Sequence, residues 1–243
     1  MRRHKITTVV FDLDDTLYDC YRQRVLAAHR HASGKLLAAG LAKHAARRLT
    51  IPNLTALRLN LFQEERNLDT LDYRLCVRLG LRGRTAQHFA RIGRDAYFGF
   101  PVRNLRLFAD TRPTLRRLHR LGVRIYIITA GYLHIQRAKT RILGLDLSPC
   151  VHAILYTGLT RGRGKKQRLR RVLRYEPNAR RVLVVGDRPD SEIRAAHELK
   201  MWTVRRLGGE FAGRQPSKPI ERAHFAIRRL SHVFALPFKF VSR

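Results

Sequence analysis

Acidic residues are scarce in this sequence. Against 50 Lys and Arg there are only 18 Asp and Glu in 243 residues, which gives a formal net charge of +32 at pH 7. Of the basic residues, 41 are Arg and 9 are Lys. Charge of one sign on this scale opposes compaction by self-repulsion and attracts polyanions. Two interpretations follow: a nucleic acid or other polyphosphate partner, or an arginine-rich composition whose charges are solvated on helix faces.

Cysteines and long apolar runs are scarce as well. Cys20, Cys76 and Cys150 lie far apart and are odd in number, which excludes a disulfide framework and offers no metal-ligand spacing. No apolar run approaches the roughly 18 residues that a membrane span requires. We therefore expect a protein of the reducing cytoplasm with no membrane partner. The hydrophobic content of 44% is still enough for a globular core.

Short apolar, β-branched runs alternate with amphipathic segments over most of the chain. This alternation is typical of βαβ units, which build a parallel sheet. The fold class predicted is α/β, a Rossmann-like parallel sheet flanked by helices. Strands are predicted at 7–11, 123–128, 151–156, 181–185, 201–204 and 224–227, and helices at 113–121, 133–143, 165–175 and 192–199.

Residues 20 to 100 carry no convincing strand signal. Leu, Ala, Arg and His recur there at helical spacing, with breaks near Pro52, Gly80 and Pro101. We therefore expect an all-helical domain of residues 18–104, inserted after the first strand. The α/β core would then comprise residues 1–17 and 105–243. The apolar end of the chain, 234–241, is expected to pack on the sheet.

Polar residues stand where the predicted strands end. Loops that follow parallel strands share one edge of a sheet, and ligands bind at that edge. We therefore expect these side chains to converge. The candidates are Asp12 and Asp14 after the first strand, Thr129, Ala130 and Gly131 after the second, Lys165 in the helix after the third, and Asp187, Asp190 and Glu192 after the fourth.

Carboxylates that converge repel one another and need a cation. A site of oxygen ligands suits Mg²⁺. With the cation bound, a carboxylate can attack a phosphoryl group, and Asp12, directly after its strand, is placed to do so. Thr129 can donate its hydroxyl to a phosphoryl oxygen, and the amides of Ala130 and Gly131 add donors. Each residue alone also fits an ordinary turn, cap or strand end, so the combination carries the prediction.

Two segments, FDLDDTLYD at 11–19 and VLVVGDRPDSEI at 182–193, together resemble the haloacid dehalogenase-like superfamily of aspartyl-phosphate hydrolases. The helical insertion lies where that family places its C1-type cap. The resemblance implies that Asp12 is the nucleophile and that Asp14 is the general acid and then the base. It also implies a Mg²⁺ site made of Asp12, the backbone carbonyl of Asp14, and Asp187.

Three positions leave alternatives open. A second acid five residues after Asp187, as in one branch of the family, is Glu192, with Asp190 as the alternative. The family has a basic residue in its third motif that contacts the phosphate, and here it is Lys165 or Arg163. The family's usual spacing of six residues before the first buried apolar residue of the helix, Leu169, falls on Arg163. Ala130 stands where the family more often has Asn.

The function predicted is a Mg²⁺-dependent phosphatase. Its substrate would be a small phosphate monoester, such as a sugar phosphate, a nucleotide or a related metabolite, and hydrolysis would pass through an aspartyl-phosphate. Asp14 argues against dehalogenation, since dehalogenases of the family lack this acid.

The alternative is a basic protein associated with nucleic acid or the ribosome, which uses the fold as a scaffold or processes nucleic-acid phosphate ends. Residues 161–181 carry ten basic residues and one acid, Glu176. Only Tyr175 supplies an aromatic ring in this run, and no nucleic-acid motif is present, so a solvated basic helix competes with non-specific attraction to nucleic acid.

Overall fold

The computed structural model describes residues 3–45, 48–65, 67–158 and 163–242. The chain forms two compact units. The first comprises Met1–Tyr21 and Val102–Arg243, and the second comprises Arg22–Pro101. The domain boundaries expected from the sequence, with an insertion of 18–104, lie a few residues from these.

The first unit contains a parallel sheet of six strands in the order β4-β3-β2-β5-β6-β7. A separate parallel pair joins β1 to β8. The α/β parallel sheet predicted from the sequence is thus confirmed. The strands are β1 His4–Ile6, β2 Thr8–Asp12, β3 Arg124–Ala130, β4 Ala153–Thr157, β5 Val182–Gly186, β6 Trp202–Arg206, β7 Phe225–Ile227 and β8 Phe238–Phe240.

Helices flank this sheet and make up the second unit. Within the described part of residues 22–101 they are α1 Leu26–Ala38, α2 Ile51–Glu65, α3 Leu68–Arg78 and α4 Gly83–Phe98. In the first unit they are α5 Thr111–Arg120, α6 Leu133–Ile142, α7 Arg163–Tyr175 and the short α8 Arg194–His197. Among the described residues, no helix has the length and apolar character needed to cross a membrane.

Strand β2 lies in the interior of the sheet, between β3 and β5, and all five of its residues are buried. Its unbroken run of Thr, Val and Phe suits a strand that is covered on both faces. On one face, Val10 and Val184 pack against Leu169 and Val172 of α7. This packing fixes the end of β2, and therefore Asp12, inside the core.

The end of the chain packs on the sheet, as expected. Phe238 in β8 lies 5.7 Å, centroid to centroid, from Trp202 in β6, and 5.4 Å from Phe225 in β7. The pairing of β8 with β1 was not foreseen, because neither three-residue strand carries a pattern that identifies its partner.

The second unit contains helices and no strand among its described residues. Its core is built from leucines at helical spacing, which bury one face of each helix. It also contains a buried pair, in which Arg58 of α2 donates to Asp72 of α3. The apolar core includes Leu36, Leu54, Leu61, Leu71, Leu75 and Phe89.

Candidate active site

Three strands of the sheet bring polar side chains to its carboxyl edge. Asp12 is the last residue of β2, Thr129 lies next to the end of β3, and Asp187 follows β5 directly. All three side chains are buried, with exposed fractions of 4%, 1% and 2%. Because β2, β3 and β5 are adjacent and parallel, their ends meet at one place.

Asp12, Asp187 and Glu192 form a compact acidic cluster. Each offers a carboxylate oxygen, and these oxygens lie within 4.8 Å of one another. Glu192 comes from the single turn of π-helix Pro189–Ile193, which begins two residues after Asp187. This turn directs the fully buried Glu192 back over the end of β5.

Lys165 is the cation of the cluster. Its Nζ lies 2.6 Å from Asp12 Oδ1 and 2.7 Å from Glu192 Oε2. Lys165 enters the site because it lies one helical turn before Leu169, which is fully buried against the sheet. Lys166, one residue on, instead pairs with Glu198 at 2.5 Å and is partly exposed. Arg163 begins α7, and its side chain lies outside the described part of the structure.

The cluster holds three carboxylates around the ammonium group of Lys165, and the guanidinium of Arg188 adds positive charge nearby. Burial raises the pKa of Asp12 to about 7, although Lys165 opposes the shift. Burial, with Glu192 and Asp12 nearby, also raises the pKa of Asp187. Burial opposes ionisation of Glu192 too, but Lys165, together with the charge and the amide of Arg188, outweighs it and lowers the pKa of Glu192.

A divalent cation fits this charge deficit. Oδ1 of Asp187 is buried and has no hydrogen-bond partner in the described residues. A buried carboxylate oxygen without a partner is costly, and a cation would satisfy it. The ligand atoms are all oxygens, which suits Mg²⁺. Asp12 and Asp187 were expected as side-chain ligands, and Glu192, the second acid favoured over Asp190 in the sequence, is the third carboxylate of the cluster.

Asp14 lies beside the cluster and is surrounded by donors. Lys139 Nζ lies 2.9 Å from both of its carboxylate oxygens. Tyr18 donates its hydroxyl to Oδ1 at 2.7 Å, and Gln136 Nε2 donates to Oδ2 at 3.1 Å. Burial opposes the charge, but Lys139 and these hydrogen bonds outweigh it and lower the pKa of Asp14. Asp14 is therefore held as a carboxylate.

The contacts of Asp14 with Tyr18, Gln136 and Lys139 were not predicted from the sequence. Gln136 and Lys139 are three residues apart in α6 and therefore share one face of that helix. A lysine on the helix face that packs against a sheet is unusual. The position of Lys139 was therefore the feature of the sequence that could have indicated a role in the site. Tyr18, four residues after Asp14, carried no comparable signal.

Thr129, Ala130 and Gly131 follow one another at the end of β3. Gly131 has φ +146°, and a Cβ there would lie 2.8 Å from Gln136 Nε2, so glycine is required. Its N–H donates to the carbonyl of Thr157 at 3.2 Å, and the expected role of this amide in phosphate binding stays a prediction. Thr129 stays in the site, and Ala130 is exposed.

Asp190 points away from the cluster. Its Oδ2 lies 3.0 Å from Arg214 Nη2 and 3.6 Å from Arg188 Nη2. Two acids in the loop after β5 were candidates for the second acid of the site. Glu192 joins the cluster, and Asp190 does not. The reason is the π-helical turn, which places the two side chains on different sides.

Comparison with known proteins gives the family. The family model described as haloacid dehalogenase-like hydrolase matches residues 6–200, most of the chain. This chain belongs to the haloacid dehalogenase-like hydrolase family. The resemblance inferred from the two motifs is confirmed, and the chain is a hydrolase.

One curated relative of this hydrolase is a glyceraldehyde 3-phosphate phosphatase from Methanocaldococcus jannaschii. The two are 28% identical over 85% of this chain and 87% of the relative. This similarity supports the phosphatase class within the family.

Two solved structures share the fold of the hydrolase. A family hydrolase from Bacillus subtilis, solved with bound magnesium, is 19% identical and has a TM-score of 0.61 over 97% of this chain and 98% of its own. A predicted phosphoglycolate phosphatase from Haemophilus somnus is 18% identical, with a TM-score of 0.64 over 95% and 97% of the two chains.

Proposed function

We propose that this hydrolase is a Mg²⁺-dependent phosphatase that cleaves small phosphate monoesters through an aspartyl-phosphate on Asp12. The observation that carries the proposal is the contact of Lys165 with both Asp12 and Glu192 inside a cluster of buried carboxylates. A carboxylate with a cationic partner, fixed at the end of a buried strand, is suited to attack phosphorus.

In the first step, a carboxylate oxygen of Asp12 attacks phosphorus and the bond to the ester oxygen breaks. Asp14 gives its proton to the leaving alkoxide. In the second step, water attacks the same phosphorus, its proton passes to Asp14, and the bond from phosphorus to Asp12 breaks to release inorganic phosphate. Lys165 and the Thr129 hydroxyl stabilise the charge on the phosphoryl oxygens.

Lys139 favours the ionised form of Asp14, since its Nζ contacts both carboxylate oxygens. The ionised form is the one that accepts a proton from water in the second step. For the first step, Asp14 has to carry a proton, so the ester must bind to the protonated form or bring a proton with it.

Asp12, Asp187 and Glu192 would hold Mg²⁺, with the carbonyl of Asp14 as a further ligand carried over from the family resemblance. When bound, the cation offsets the repulsion between the Asp12 carboxylate and the anionic substrate. The buried Oδ1 of Asp187, which lacks a partner among the described residues, supports this assignment.

The substrate class is a small phosphorylated metabolite, such as a sugar phosphate, a nucleotide or a related compound. The curated relative acts, by its name, on a three-carbon phosphate ester, which supports a small substrate. A scaffold without catalysis would not require three buried carboxylates and a buried lysine at one sheet edge, since buried unpaired charge is destabilising.

A panel of phosphate monoesters, assayed with Mg²⁺ and with excess chelator, tests this proposal. We expect release of inorganic phosphate from at least one small ester in Mg²⁺ and none in chelator. Turnover that is unaffected by chelator would overturn the metal assignment, and the absence of turnover across the panel would overturn the substrate class.

A further inference from the structure

A groove lies on the flank of the sheet, outside the acidic cluster. It has a volume of about 480 Å³ and is bounded by α6, the edge strand β4 and α7. Pockets of this size hold small ligands or single units of a polymer. Its lining combines three arginines with apolar and aromatic side chains: Arg137, Arg168, Arg171, Leu133, Ile154 and Tyr156.

The three arginines of the groove have no acidic partner within the described residues. No carboxylate there lies within ion-pair distance of Arg137, Arg168 or Arg171. By contrast, Lys166 on the same helix as Arg168 is neutralised by Glu198. Guanidinium groups gathered at a concave surface without counter-charge concentrate positive potential there and suit phosphate oxygens.

The groove also offers flat and apolar surface. The ring of Tyr156 is fixed by a 2.8 Å hydrogen bond between its hydroxyl and Thr140, and Arg137 Cζ lies 6.0 Å from the ring centroid. Leu133, at the start of α6, is 48% exposed. Aromatic rings and guanidinium planes are the surfaces on which nucleobases stack.

The two helices that bound the groove also contribute side chains to the active site. In α6, Lys139 contacts Asp14 while Arg137 lines the groove. In α7, Lys165 contacts Asp12 while Arg168 and Arg171 line the groove. The groove arginines therefore lie outside the catalytic cluster, and a ligand there need not be the substrate.

We propose that this groove binds single-stranded nucleic acid. Each nucleotide of a single strand presents a phosphate and a flat base, and the groove pairs guanidinium groups with an aromatic and apolar wall. An acidic peptide would match the charge but would leave the apolar wall unused. The net charge of +32 adds a long-range attraction to the same class of ligand.

Fluorescence anisotropy with a labelled single-stranded RNA tests the proposal. The RNA ends in hydroxyl groups, so it carries no phosphomonoester for the active site. The groove variant Arg137→Gln/Arg168→Gln/Arg171→Gln is compared with Arg103→Gln/Arg116→Gln/Arg120→Gln, which removes equal charge from exposed positions elsewhere in the first unit. Melting temperature and hydrolysis of a small phosphate ester report on folding, and we expect both triple variants to retain them.

We expect the groove variant to bind at least 10-fold more weakly than wild type. We also expect its plot of log affinity against log salt to flatten by about 2, because each phosphate of a single strand that a cation neutralises adds roughly 0.7 to the slope. The control variant should change by less than 3-fold. If the groove variant is unstable, Arg171→Gln compared with Arg116→Gln gives the same comparison with one charge.

Equal losses in both variants would overturn the proposal, because attraction would then follow net charge alone. Absence of RNA binding at low salt would also overturn the proposal. Displacement of the RNA by polyglutamate of the same charge would overturn it as well, because it would indicate a site for acidic protein. None of these results depends on phosphatase activity, so failure of the groove and failure of the proposed function are distinguishable.

Discussion

Gly186 leaves the space that the side chain of Glu192 occupies. A Cβ at position 186 would overlap Cγ and Oε1 of Glu192. Glu192 in turn accepts from the Arg188 amide at 2.6 Å and contacts Lys165 Nζ at 2.7 Å. Because Gly186 has no side chain, the loop after β5 can place Glu192 beside Lys165 of α7.

Gly186→Ala tests this relationship. We expect kcat/KM for a phosphate ester to fall at least 10-fold, because Glu192 has to leave its place beside Lys165. Crowding a packed site also costs about 1–3 kcal/mol of unfolding free energy. Gly213→Ala is the control, since a Cβ there meets no atom within 4 Å. Similar activity of the two variants would mean that Glu192 is not held as described.

Lys165→Met removes the ammonium group between Asp12 and Glu192. We expect kcat to fall by about 10²–10³-fold, the usual cost of losing a donor that stabilises charge in the transition state. Lys166→Met, one residue on, removes a partly exposed lysine paired with Glu198 and should leave kcat within about 2-fold. Steady-state kinetics on both variants checks this, and a reduction of the same size in each would contradict the assignment of Lys165.

Asp187→Asn tests the cation site without relying on turnover. A ligand that binds only the folded state raises the melting temperature. We expect Mg²⁺ to stabilise the wild type and to have little effect on Asp187→Asn. Asp190→Asn is the matched control, because Asp190 pairs with Arg214 outside the cluster. If Mg²⁺ failed to raise the melting temperature of Asp190→Asn alone, the ligand would be Asp190 and not Asp187.

His224 predicts a dependence of stability on pH. Burial, with His197 and Arg180 nearby, lowers the pKa of His224 to about 4 from its ordinary value near 6.5. Its Nδ1 accepts from the Thr203 amide at 3.1 Å, which requires the neutral ring. As pH falls, the unfolded chain takes up this proton near pH 6.5, before the folded protein does. The stabilising contribution of neutral His224 is therefore complete above pH 6.5 and is lost as pH falls towards 4.

Melting temperatures between pH 7.5 and pH 4.5 check this expectation. His224→Asn keeps an acceptor but cannot be protonated, so its melting temperature should fall less over this interval than that of wild type. His232→Asn removes an exposed histidine instead and should behave as wild type. Identical pH profiles for all three proteins would exclude the contribution of His224.

The sequence predicted the parts of the site that follow from local pattern. Asp12 and Asp187 each follow a buried apolar run, and such runs end at the carboxyl edge of a parallel sheet. The choice between Lys165 and Arg163 stayed open in the sequence, because the family's spacing to the buried Leu169 falls on Arg163. The sheet, its helices and the helical stretch at 20–100 follow from the same periodicities.

The rest depends on tertiary packing that no short pattern encodes. Lys139 meets Asp14 only because α6 lies beside the end of β2, and the two residues are 125 positions apart. The choice of Glu192 over Asp190 rests on one π-helical turn. The engagement of the Gly131 amide by Thr157 depends on how far β4 extends beside β3.

The proposed aspartyl-phosphate on Asp12 can be located by mass spectrometry. The enzyme, quenched in acid during turnover of p-nitrophenyl phosphate with Mg²⁺, would be digested and analysed by mass spectrometry. We expect one phosphoryl group on Asp12. We expect neither the intermediate nor turnover in Asp12→Asn, whose amide is nearly isosteric but is not a nucleophile. A phosphoryl group on another residue, or hydrolysis by Asp12→Asn at the wild-type rate, would contradict the proposal.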